Sequence, residues 1–156
     1  MSMEELLETI RAFDGVHELA PTEGDGGPEI AWGDHFFYYA PDGTVPVRTQ
    51  PYATIVTKDY PGDDLSGLGP AGRWRVNVHV GRARYAELTG EEPGREPAPR
   101  DFGAADVILP HPVYWALGWI AVVVPGERTA LTVVALLREA HENARRRAVR
   151  RVGEVS

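Results

Sequence analysis

The sequence predicts an α+β fold, an antiparallel sheet with its helices packed on one face to give two layers. Three observations carry that expectation. The periodic segments run helix, paired strands, long strand, short helix, apolar strand and long helix, with too few helices between strands for a doubly wound parallel sheet. Residues 73–80 alternate strictly, with Trp74, Val76, Val78 and Val80 to one side and Arg73, Arg75, Asn77 and His79 to the other. The last third of the chain ends on one long helix, whose Val133, Leu136, Leu137, Ala140 and Ala144 make a single apolar stripe.

Each element follows from local signals. Ser2 followed by Glu5 is a capping box, and Leu6, Leu7, Ile10 and Phe13 recur at helical spacing until Gly15 stops the helix. A short strand is expected over Val16–Ala20, and then a Gly- and acid-rich loop over 21–28. The aromatic run Glu29–Tyr39 reads as a strand, Pro41-Asp42-Gly43 as a turn, and Tyr52–Lys58 as the returning strand. After a Pro/Gly stretch at 61–72 comes the alternating strand, and then a short helix over Arg82–Leu88 and a polar loop at 90–101. Gly118–Val124 is apolar throughout and reads as a central strand covered on both faces. The closing helix is expected from about Thr129 to Arg150. The whole, 1–156, is expected to form one domain with mobile loops near 21–28, 61–72 and 90–101, and with Trp74, Val76, Val78, Trp119, Ile120, Val122, Leu136 and Leu137 in one core.

Composition removes whole classes of chemistry. With 43% hydrophobic and 25% charged residues and no long apolar run, the chain reads as soluble, and its acidic amphipathic start is unlike a signal peptide, so a cytoplasmic location is expected. Zero Cys excludes disulfides, thiolate metal sites and cysteine nucleophiles. Only Ser66 lies away from the termini, outside any Gly-x-Ser-x-Gly elbow, and Lys58 is the single lysine. Gly67-x-Gly69-x-x-Gly72 matches a dinucleotide fingerprint formally, but no strand precedes it and Pro70 interrupts it, so it reads as a loop. Fifteen arginines against one lysine point to a high-GC bacterial genome. The net charge of −7 divides into −10 over 1–72 and +3 over 73–156. That balance argues against duplex nucleic acid as a partner, and the arginines at 145, 146, 147, 150 and 151 read as a solvated helix end.

Four blocks together carry a resemblance: Trp32-Gly33-Asp34-His35-Phe36-Phe37, Pro51 to Asp59, Arg75-Val76-Asn77, and Leu109-Pro110-His111-Pro112-Val113-Tyr114. Over nearly its whole length the chain resembles a bacterial family of about this size, the domain of unknown function 6194 family. More distantly, the order of its elements is similar to the MmcQ/YjbR group, which implies a small α+β fold likened to the frataxin-like proteins and roles ranging from DNA binding to drug sequestration. The chain departs from that group in having one lysine and no basic surface. The nearer family implies no catalytic residues.

The candidate ligand-binding residues are Trp32, Asp34, His35, Arg75, Asn77, His79, His111 and Tyr114, pictured as one cleft in which polar groups stand beside turn-bound aromatics. His35, His79 and His111 are also the only metal candidates, without His-x-His or His-Glu-x-x-His spacing, and metal-free hydrogen-bonded histidines are the expectation. His17 and His141 read as surface residues. The leading expectation is a small-molecule-binding module with an aromatic pocket, in a sequestering or resistance role. The alternatives are an enzyme using Asp34 with His35 or His79, or a histidine-bound metal, on a small molecule, and an interaction module using its aromatic surface or the arginine-rich helix end. The sequence leaves the cofactor unknown.

Overall fold

The computed structural model describes residues 1–155, and the side chains of residues 1–151. Helix α1 (Met3–Arg11) begins where the capping box places it: Glu5 N–H donates to Ser2 Oγ at 3.1 Å, and Ser2 N–H donates to the Glu5 carboxylate at 3.3 Å. Strands β1 (Val16–Leu19), β2 (His35–Tyr39), β3 (Ala53–Val56), β4 (Arg75–His79), β5 (Leu109–Pro110) and β6 (Trp119–Val123) form one antiparallel sheet in the order β1-β2-β3-β4-β6-β5. Helix α2 (Arg82–Thr89) and helix α3 (Ala130–Val155) complete the α+β fold.

Register separates the two faces. His35, Ile55, Val76 and Val122 form one cross-strand row, and Phe36, Thr54, Asn77 and Ala121 the neighbouring row on the opposite face. The first face meets Leu6, Leu7 and Ile10 of α1, Tyr85 of α2, and Val133, Leu136, Leu137 and Ala140 of α3 in the main core. On the second face only Val56, Leu68 and Val123 form a small apolar cluster. All three helices therefore pack on one side, and loops cover the other.

Several expectations change. Trp119 is not in the core: adjacent strand residues face opposite ways, so with Ile120 turned to the helices Trp119 looks to the loop side. The aromatic run becomes a strand only at His35, because Glu29–Ala31 is a 3₁₀ turn and Gly33 bends the chain at φ 86°. The turn at 41–43 forms, with Gly43 N–H on Ala40 O at 2.9 Å, but the chain loops on to residue 53 before β3 begins. His141 is buried, not on the surface; its Nε2–H donates to Asp14 O at 2.7 Å and its Nδ1 accepts from Tyr52 Oη at 3.0 Å. Its place beside the α3 stripe puts it against Phe13, Tyr39 and Tyr52. No helix among the described residues is long and apolar enough to cross a membrane.

Candidate functional site

The loop-side face of the sheet holds a cavity of about 900 Å³. Phe36, Tyr38, Thr54, Arg75, Asn77 and Trp119 are its floor, since period-two geometry turns them all away from the helices. Pro21, Pro28 and Ala31 stand along one side, Tyr60 to Asp63 along a second, and His111 to Leu117 along a third.

Polar contacts hold each wall. Asp34 is fully buried beneath the first two: one carboxylate oxygen accepts Thr57 N–H at 2.8 Å and Thr57 Oγ1 at 2.7 Å, and the other accepts the Tyr60 hydroxyl and forms an ion pair with Lys58 Nζ at 3.0 Å. Burial and the Asp34 contact push the Tyr60 hydroxyl well above its usual range, so it stays a neutral donor. Arg73 staples the 61–72 loop, donating to Gly67 O, Ser66 O and Gly103 O at 2.8 Å each. The third wall begins at His111, whose Nδ1 accepts the Val113 and Tyr114 N–H groups at 3.0 Å each. It ends at Gly118, φ 80°, whose carbonyl accepts from Val80 and Gly81 N–H. A Cβ at Gly118 would lie 2.6 Å from the Gly81 carbonyl carbon, so only glycine fits that close crossing.

Arg75 organises the floor. Its guanidinium, 2% exposed, donates from Nε to Asn77 Oδ1 at 2.8 Å, from Nη1 to Asp63 Oδ1 and Ser66 Oγ at 2.9 Å each, and from Nη2 to Asp63 Oδ2 at 2.6 Å. Asn77 in turn donates to Thr54 Oγ1 at 2.9 Å. Burial raises the Asp63 carboxyl, but the paired Arg75 bonds outweigh it and leave its pKa lowered. Burial, aided by the Arg75 charge, pushes His111 down to about 3, so the imidazole is neutral. Among the described residues, Asp63 and Arg75 are the only formally charged ones lining the cavity, and they neutralise each other.

Of the eight residues singled out in the sequence, Arg75, Asn77, His111 and Tyr114 line this cavity and the other four do not. Asp34 lies buried as a strut, and the Trp32 carbonyl accepts from Lys58 Nζ at 2.7 Å. His35 sits in the helix-side row, its Nδ1 2.6 Å from Glu18, which also pairs with Arg11. His79 faces the loop side but spends its Nε2–H on Leu117 O at 3.0 Å beside the Trp119 ring. Burial first, and then the Arg147 charge, lower its pKa. The three histidines are thus separated, and no three His, Asp or Glu side chains gather to hold a metal among the described residues. Sequence reading missed Phe36, Tyr38, Thr54, Tyr60, Asp63 and Trp119. Strand parity counted outward from Asn77 puts Arg75 on the floor, whereas Phe36, Tyr38, Thr54 and Trp119 join it through the cross-strand register. Nothing in the sequence marked Tyr60 or Asp63.

No curated protein and no solved structure matches the chain. A family model does match, over residues 1–153, which takes in the sheet, the loops around the cavity and nearly all of α3. The chain belongs to that family, described as a family of unknown function (DUF6194).

Proposed function

We propose that the protein is a small-molecule-binding module whose loop-side cavity takes a flat, largely apolar ligand, in a sequestering role in the cytoplasm. The observation that carries this reading is an aromatic-floored cavity whose only charged lining, among the described residues, is a mutually neutralised pair. The groups with chemical capacity support binding over catalysis. Ser66 is buried and accepts from Arg75, and the His111 Nδ1 lone pair is engaged by two backbone donors, so neither is free to act as nucleophile or base. Trp119 in the floor supplies a readout.

N-phenyl-1-naphthylamine, a neutral fluorophore, should bind one per chain, with its emission rising as tryptophan emission falls by energy transfer. Thr54→Trp, which fills the floor, should weaken that binding by more than about tenfold while circular dichroism stays unchanged. A wild-type protein that gives no saturable signal would remove the reading, as would a folded Thr54→Trp variant that binds the fluorophore undiminished.

A further inference from the structure

Resting on that reading, we propose that the cavity wall where Arg75 meets His111 is a paired-donor site for the acceptor oxygen of an uncharged ligand, a ketone or amide carbonyl. Four of the five guanidinium N–H groups have oxygen acceptors: one on Asn77, two on Asp63 and one on Ser66. The fifth, on Nη2, points at His111 Nε2, 3.3 Å away. That nitrogen has no lone pair to offer. His111 Nδ1 already accepts two backbone N–H groups, and a neutral imidazole has one protonated nitrogen, so the hydrogen-bond network assigns the proton to Nε2. Two donors therefore face each other without an acceptor between them. The nearest carboxylate oxygen, Asp63 Oδ2, lies 3.9 Å from His111 Nε2, beyond hydrogen-bond reach.

An unsatisfied donor pair in a buried setting is costly, and His111 is 2% exposed. A carbonyl oxygen, with two lone pairs, satisfies both donors at once from the cavity side, where both residues stand. A carboxylate fits the site poorly, because Asp63 already cancels the Arg75 charge and an added anion would be buried beside it. The site thus selects for an acceptor and against a charge.

Three naphthalenes of similar shape test this, each by displacement of N-phenyl-1-naphthylamine: 2-acetylnaphthalene, its alkene isostere 2-isopropenylnaphthalene, and 2-naphthoate. The ketone should bind about tenfold tighter than the alkene, as one good hydrogen bond predicts, and the carboxylate should bind weakest. In His111→Phe the preference for ketone over alkene should vanish. Nitrogen-15 spectra of the wild-type protein should show the Nε2–H tautomer at His111, so the proposal is decided even if that variant does not fold. Equal binding of ketone and alkene, an Nδ1–H tautomer, or displacement by none of the three would overturn the donor site. Tightest binding by naphthoate would overturn it in favour of a free cation. In each of these cases the fluorophore still binds and the pocket reading stands; loss of fluorophore binding itself removes both.

Discussion

Arg75 spends four of its five N–H groups on protein oxygens and keeps only the fifth, on Nη2, for the donor pair with His111. Deleting its side chain leaves Asp63 without its charge partner, and also strips a donor from Asn77 and Ser66. Breaking a buried pair from one side is worse than replacing both members with apolar groups, because the survivor keeps its desolvation cost. Arg75→Ala should therefore lower the unfolding free energy in urea by about 3 kcal/mol, whereas Arg75→Met combined with Asp63→Leu should recover most of that loss. A double variant no more stable than Arg75→Ala would show that the pair is not what holds the floor. His111 is the second such residue, since one imidazole nitrogen shapes the wall through Val113 and Tyr114 while the other faces Arg75.

At the scale of elements, α3 takes its start from a residue far back in the chain. Asp106 accepts N–H bonds from Gly126, Arg128 and Thr129 at 2.8–3.0 Å and the Thr129 hydroxyl at 2.6 Å, clamping the turn that leads into α3 and placing a carboxylate at the helix N-terminus. The Thr129 hydroxyl first, and then the backbone donors, hold the Asp106 carboxyl at about 2. A depressed carboxylate pKa stabilises the fold fully above its ordinary value of ~3.9 and loses that contribution as pH falls through the folded value. Asp106→Asn should accordingly melt at a lower temperature than the wild type at pH 7. The gap should close as pH drops from about 4 toward about 2. A gap that stays constant across that range would mean that the carboxylate charge plays no part in clipping the helix.

At the scale of the whole molecule, the chain is acidic. Near the end of α3, Arg145 and Arg146 share Glu142, Arg147 stands close to Arg150 and Arg151, and the chain as a whole carries a net −7 that opposes nucleic-acid phosphate. Duplex DNA at physiological salt should therefore bind no more tightly than ~10⁻⁴ M, the weak end of non-specific affinity. Micromolar, salt-sensitive binding in a gel-shift or anisotropy titration, lost on replacing Arg146, Arg147 and Arg150, would reverse that conclusion. Much of the fold was legible beforehand. The capping box located α1, the alternation over residues 73–80 located β4 and both its faces, and the apolar stripe located α3, because these signals are periodic and short-range. The same alternation rule, applied to residues 119 and 120, places Trp119 opposite Ile120 and so could have put it on the floor of the cavity. What no local pattern contains is the pairing of Arg75 with Asp63 and His111, 12 and 36 residues away, or of Asp34 with Tyr60 across 26. Period and propensity decide which side of a strand a residue faces. Only the closed tertiary structure decides which loop folds over that side, and therefore which buried charge is neutralised and which donor is left waiting for an acceptor.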